Sequence, residues 1–198
     1  MKPFIKVLIL ILVCVFVFLM GCAKKDYSQY KEPGFNQDII KVKSLNVEQQ
    51  ATFTEFKDEL GQFKSFNDEF FPIWSEHINR TSSMLDDFNS STVLEEKFIC
   101  SDALEKRYSE LLSQLENIKA PAIAKKAYEL ALEAVSYRAL FFKKFNQNAP
   151  VDELSKLEGK AYIAEAGFWD EIDNLYRYFD EEMARLHTSD DDKYIVFN

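Results

Sequence analysis

The residue whose position in the sequence best suits a specific reaction is Cys22. It ends the segment Leu19-Met20-Gly21-Cys22, which closes an apolar run that begins at Val7 and follows Lys2 and Lys6. This run is shorter than the ~20 apolar residues that a membrane-spanning helix needs, but it fits the hydrophobic region of a secretory signal. The chemistry that this pattern predicts is proteolytic cleavage after the small residue Gly21.

The segment Leu19-Met20-Gly21-Cys22 resembles the lipobox of bacterial lipoprotein signal sequences. The resemblance implies that the thiol of Cys22 carries a diacylglycerol and that its new amino group receives a further fatty chain such as palmitate. Met20 departs from the small residue that the family prefers at that position, which affects the efficiency of cleavage. Because two or more acyl chains hold a protein stably on a bilayer, the resemblance implies attachment to the membrane without a spanning segment.

The same resemblance gives expectations about location. In Gram-negative lipoproteins an aspartate after the lipidated cysteine retains the protein at the inner membrane, whereas this chain has Ala23. An outer-membrane location is expected in such a cell, and the outer face of the cell membrane in a Gram-positive cell. In both cases the protein is extracytoplasmic.

The remaining cysteines and the net charge narrow the possible functions. Cys14 leaves with the signal, so Cys100 has no partner for an intramolecular disulfide, and stability must come from an apolar core. Loss of Lys2 and Lys6 with the signal changes the formal net charge from −9 to −11. Since nucleic-acid binding requires a basic face, we expect no nucleic-acid partner.

Metal binding and catalysis have little support in the sequence. Di-iron helical bundles use Glu-x-x-His motifs, but the residues three before His77 and His187 are Trp74 and Ala184. There is no Gly-x-Ser-x-Gly motif and no Gly-rich phosphate loop. We therefore predict no catalytic residues, no metal ligands and no cofactor, and we expect that the protein is not an enzyme.

The spacing of apolar residues in the mature chain predicts four helices. The first begins near Asn46 and is kinked or broken near Pro72, and the second begins with a capping box formed by Thr92 and Glu95. The third opens at Ala120-Pro121, and the fourth begins at Val151 or Asp152. In the third helix the predicted core stripe contains Ile123, Ala127, Leu130, Ala134, Tyr137, Phe141 and Phe145, and Leu132, Val135, Leu140 and Phe142 broaden it.

These helices predict an all-α protein, an antiparallel up-down-up-down helical bundle with seams like those of a coiled coil. The expected organisation has four parts: a signal peptide at 1–21, a lipidated tether at 22–45, the bundle at 46–187, and an acidic tail with an apolar end at 188–198.

Two functions remain open at this point. The first is a non-enzymatic, lipid-anchored module of the cell envelope that binds another envelope protein or serves as a scaffold. The alternative is a ligand-binding or sensor lipoprotein, because Phe70 and Trp74 flank Pro72 and Phe168 lies in the fourth helix. If the helix opens at Pro72, these three rings are expected to line a pocket for an apolar or aromatic ligand.

Overall fold

The computed structural model describes the chain at 40–42, 47–186 and 193–195, with side chains described from 52 to 185. Four α-helices form the body of the protein: α1 Val47–Ser90, α2 Leu94–Leu115, α3 Lys125–Asn146 and α4 Val151–Leu186. A single 3₁₀ turn at Ala122–Ala124 precedes α3. The four helices pack against one another, so the prediction of an all-helical body is confirmed.

Two three-residue strands lie outside the helices in the sequence. Strand β1 (Ile40–Val42) precedes α1 and strand β2 (Lys193–Ile195) follows α4. They pair antiparallel, with Ile40 opposite Ile195. The segment before the first helix and the segment after the last one are therefore neighbours.

Helix α1 continues without interruption through Pro72, so the predicted break is absent. Proline removes one backbone N–H and crowds the carbonyl of the preceding turn. Pro72 is exposed, and water can bond the backbone carbonyl that loses its partner on that side. A gentle bend toward the core is compatible with this arrangement, and a kink at Pro72 stays a prediction.

The packed face of α3 differs from the predicted stripe. The buried residues of this helix are Ala127, Ala131, Ala134, Val135, Phe142 and Phe145. Leu130, Tyr137 and Phe141, which the pattern placed in the core, are only half-buried. Two adjacent apolar stripes run along this helix at nearly the same spacing. Ala127 and Ala134 belong to both stripes, and beside them the structure buries Ala131, Val135 and Phe142 rather than Leu130, Tyr137 and Phe141.

The predicted capping box of Thr92 and Glu95 is absent, because Val93 is the N-cap residue of α2 and no side chain caps the helix. The Ser91 hydroxyl accepts the backbone N–H of Val93 at 3.0 Å and donates to the Glu96 carboxylate at 2.6 Å. These bonds order the turn before α2, but they are not a capping box, so that prediction was wrong.

Asn148 ends α3 and turns the chain toward α4. Its φ of 56° is the left-handed conformation that asparagine tolerates better than most residues. The N–H of Ala149 donates to the carbonyl of Lys144 and that of Asn148 to the carbonyl of Phe145, the two bonds of a Schellman motif. Val151 then begins α4, as predicted.

Aromatic side chains join α1 to α4. Phe56 and Phe63 of α1 both contact Phe179 of α4, with ring centroids 5.8 and 5.2 Å apart. Further along, Phe70 contacts Phe168 at 5.3 Å. These large rings set the distance between the two helices, and every one of them is buried.

Candidate functional site

The residues with the strongest chemical prediction, Gly21 and Cys22, lie outside the described residues, as does His187. Lipidation and cleavage therefore stay predictions. Within the described part of the chain, no helix combines the length and the apolar character needed to cross a membrane.

The three aromatic residues predicted to line a pocket are neighbours in the structure. Phe70 and Trp74 stack with an interplanar angle of 20°, and the Phe168 ring lies 5.3 Å from each of them. All three are buried, and the rings contact one another directly. An occupant of this cluster would have to displace or separate these rings.

One atom of this aromatic cluster is not satisfied. The indole Nε1 of Trp74 is buried and has no hydrogen-bond partner among the described residues. A buried donor without an acceptor costs about 1–3 kcal/mol. The indole N–H is therefore the only feature of the aromatic cluster that calls for a polar group from outside the described chain.

A second candidate site was not predicted from the sequence. Each helix contributes a polar side chain to it, and we call this set the polar layer: His77 from α1, Tyr108 from α2, Arg138 from α3, and Glu158 and Glu165 from α4. The rings of His77 and Tyr108 meet edge to face with centroids 4.6 Å apart. Arg138 Nη2 lies 3.2 Å from Glu165 Oε2.

Arg138 occupies a position on the core face of α3. It follows Ala134 and precedes Phe142 by four residues each, and both of these are buried. The Arg138 side chain is only 26% exposed, which is low for an arginine. The periodicity of α3 contained this signal, but it could be read only once the stripe through Ala131 and Phe142 was known to face the core.

Burial controls the ionisation of the polar layer. It raises the pKa of Tyr108, with Arg138 opposing and Glu165 reinforcing the effect, so the phenol stays protonated at neutral pH. Burial also raises the pKa of Glu158, while the nearby Arg138 guanidinium lowers it. Burial, aided by Arg107 and opposed by Glu110, lowers the pKa of His77 to about 4, so the imidazole is neutral at pH 7.

The polar layer consists of hydrogen-bonding groups and one ion pair, without a nucleophile beside a base. No group of three or more metal-ligating side chains occurs among the residues that the structure describes. His77 Nε2 is buried and has no partner within the same residues. What this arrangement can do chemically is to change the stability of the contact between helices when one of its groups titrates.

The described surface also carries exposed apolar residues. Two groups stand apart along the sequence: Val93, Leu94 and Ile99 at the start of α2, and Tyr162 and Ile163 in the middle of α4. Single exposed apolar residues need no explanation, but several within one turn or two indicate an interaction surface.

Fold and side chains thus define a helical protein with an aromatic core and a polar layer. No protein-family model, curated protein or solved structure matches this chain.

Proposed function

We propose that this chain is a lipid-anchored, extracytoplasmic helical-bundle protein of the bacterial envelope that binds another envelope protein or acts as a scaffold, without enzymatic activity. The observation that carries the proposal is the lipobox segment Leu19-Met20-Gly21-Cys22 at the end of a short apolar run. A diacylglycerol on Cys22 would hold the protein on the bilayer through covalent lipid.

The proposed architecture is an up-down-up-down bundle. Support comes from pairs of contacts between neighbouring helices, in which the residue numbers rise along one helix and fall along the other, as they do between antiparallel helices. The pairs are Phe56–Phe179 and Phe70–Phe168 (α1, α4), His77–Tyr108 and Phe88–Lys97 (α1, α2), Ser101–Phe142 and Leu115–Tyr128 (α2, α3), and Lys126–Glu171 and Lys144–Glu153 (α3, α4).

Helix lengths suggest how such a bundle would stand on a membrane. Helix α1 has 44 residues and α4 has 36, whereas α2 and α3 have 22 each. At a rise of about 1.5 Å per residue, α1 is about 66 Å long and α2 about 33 Å. We propose that the start of α1 and the end of α4 form a two-helix arm on the tether side, which holds a four-helix head away from the bilayer. The pairing of β1 with β2 supports this arm, because it brings the segment before α1 next to the segment after α4.

Replacement of Cys22 by serine in the native cell tests the proposal. The wild-type protein is expected in the membrane fraction, with a mass that lacks residues 1–21 and includes acyl chains. The C22S variant is expected to lose the acyl mass and to leave the membrane fraction, while C100S, the matched control, keeps both. Wild-type protein that retains residue 1 and carries no acyl mass would show that the anchoring proposal is wrong.

The alternative function, a ligand-binding or sensor lipoprotein, is favoured by one observation, the unpartnered indole N–H of Trp74 beside Phe70 and Phe168. Native mass spectrometry of protein purified from its own membranes would detect a co-purifying small molecule. The alternative predicts a bound mass that is lost in W74F, which keeps an aromatic ring but lacks the N–H. The exposed-site control Y162F is expected to retain that mass, and wild-type protein that is free of any bound molecule excludes this function.

A further inference from the structure

The corner between α1 and α2 exposes apolar side chains within a short stretch of sequence. Val93, Leu94 and Ile99 are all exposed, and Ile99 is 72% accessible to solvent. Glu95, Glu96 and Asp102 are exposed in the same segment. We refer to these six residues as the corner surface. Exposed apolar residues rimmed by charged ones are typical of protein interaction sites.

The charge of this region is almost entirely negative. Residues 86–102 contain five carboxylates, Asp86, Asp87, Glu95, Glu96 and Asp102, and one basic residue, Lys97. The five carboxylate residues are exposed, whereas Lys97 is buried. Asp102 forms an ion pair with Lys106 at 3.0 Å, but both side chains are largely exposed and solvent screens the pair.

The inward position of Lys97 explains why it does not neutralise the corner surface. Its ammonium donates to the backbone carbonyl of Phe88 at 2.7 Å and lies 5.0 Å from the centroid of the Phe88 ring. Helix α1 has no basic residue in its last turn, so Lys97 supplies the positive charge that the carbonyl end of that helix favours. The single cation of residues 86–102 is therefore buried and bonded within the fold, so the charged groups that a partner would contact here are carboxylates.

Charge decides between the possible occupants of the corner surface. A second copy that used the same surface would bring carboxylates against carboxylates, which costs affinity. Anionic lipid would be repelled for the same reason. The tether of the same molecule, residues 22–45, has five lysines and three carboxylates, and it precedes α1. It therefore joins the end of α1 opposite the corner surface, about 66 Å away along the helix, and under the proposed function its Cys22 is held at the bilayer on that side.

We propose that the corner surface docks a basic segment with apolar side chains from another envelope protein. Val93, Leu94 and Ile99 would bury the apolar side chains of that segment, and the carboxylates would pair with its lysines or arginines and accelerate association. This inference rests on the proposed function, because it takes the partner from the compartment into which the lipoprotein is exported.

The structure offers a matched control position for the test. Ile163 on α4 is 72% exposed, the same as Ile99, but the residues one turn away from it are Gly159, Lys160, Ala166 and Gly167 rather than carboxylates. The photo-crosslinking residue benzoylphenylalanine is placed at position 99 or at position 163 of the full-length protein in its native cell. Crosslinked peptides are then identified by mass spectrometry.

The proposal predicts that position 99, and not position 163, crosslinks to a peptide of net positive charge that contains apolar residues. The double variant E95Q/E96Q is expected to reduce this yield severalfold. A crosslink from position 99 to a second copy, to lipid or to an acidic peptide overturns the proposal, and so does a yield no higher than that at position 163. Membrane fractionation of the same cells reports on the anchor separately, so that failure of the proposed function and failure of this inference can be distinguished.

Purified components give a second measurement. The crosslinked segment is synthesised, and its affinity is measured for the wild-type protein, I99S and I163S, with circular dichroism melting curves to verify that each variant is folded. We expect at least a tenfold loss of affinity in I99S and less than a twofold change in I163S. Equal losses in the two variants contradict a docking site at the corner surface.

Discussion

The imidazole of His77 lies edge to face against the phenol ring of Tyr108, with ring centroids 4.6 Å apart, and this contact joins α1 to α2. Phe142 of α3 also contacts Tyr108, with the two rings nearly parallel and their centroids 5.7 Å apart. Since His77 Nε2 has no hydrogen-bond partner within the described residues, a proton on it would introduce a charge that no described group bonds directly. Arg107 lies near enough to disfavour that charge further.

This contact predicts a loss of stability in mild acid. The pKa of His77 is lowered from 6.5 to about 4 in the folded protein, so the unfolded chain binds the proton more readily. The contribution of His77 to stability is complete above pH 6.5 and is lost as pH falls toward 4, by less than about 1.4 kcal/mol per pH unit because solvent partly screens the half-buried imidazole. Urea unfolding of the wild type and H77F at several pH values checks this.

The difference in the free energy of unfolding between the wild type and H77F reports on His77, because the carboxylates that titrate in the same pH range are present in both proteins. We expect the free energy of unfolding of H77F to decrease less between pH 6.5 and 4.5 than that of the wild type. The pH profiles should run parallel above pH 7. Parallel profiles over the whole range would show that the His77 imidazole is solvated in the folded protein.

The ion pair between Arg138 and Glu165 should be coupled more strongly than an exposed pair. The two side chains are 26% and 33% exposed, and Arg138 also lies near Glu158 and Tyr108. A double-mutant cycle with R138M and E165Q is expected to give a coupling energy of about 1 kcal/mol. R138M alone should be the most destabilising variant, because it leaves Glu158 and Glu165 together without a cation.

The exposed pair of Arg80 and Glu76 on α1 provides the comparison for this cycle. Its coupling energy, from R80M and E76Q, should stay below about 0.5 kcal/mol and fall further in high salt. If the two cycles give the same coupling energy, the polar layer is as well solvated as the surface.

Helix α3 offers a direct test of which apolar stripe faces the core. Ala131 is fully buried, so A131L is expected to overpack the interface and to destabilise the fold by about 1–3 kcal/mol. Tyr137 is only half-buried, and Y137L should change the free energy of unfolding by less than about 1 kcal/mol. Thermal unfolding measured by circular dichroism compares the two variants. If Y137L were more destabilising than A131L, the stripe through Tyr137 would be the one that faces the core.

The same helix shows what the sequence could and could not predict. The number of helices and the start of α4 at Val151 followed from spacing and proline positions. The sequence grouped Phe70, Trp74 and Phe168 only as the lining of a pocket, and in the structure their rings contact one another. The orientation of α3 did not, because Leu130, Tyr137 and Phe141 are as apolar as the residues that are buried. Packing density settles such a choice, and it depends on all four helices together.

The polar layer was missed for a related reason. Arg138 lies in an apolar stretch of α3, so its place on the core face could be recognised only once the packed stripe of that helix was known. Its partners Tyr108 and Glu165 lie on other helices, and no local pattern pairs them with it. For the first helix the sequence predicted a kink or a break near Pro72. The break is absent, because the ring lies on the exposed side and α1 continues through it, and the kink stays a prediction.

Lys97 gives the last prediction, which concerns the joint between α1 and α2. Its ammonium bonds the Phe88 carbonyl, one of the last four of α1, which have no partner within their own helix. K97M keeps most of the side-chain volume and removes the charge, so the carbonyl is left buried and unpaired. The expected loss in the free energy of unfolding is about 2 kcal/mol, measured with urea, which is the usual range for a hydrogen bond to a charged group.

The control K106M breaks only an exposed pair with Asp102 and should cost less than about 0.5 kcal/mol. Equal losses in K97M and K106M would mean that water, and not Lys97, satisfies the end of α1.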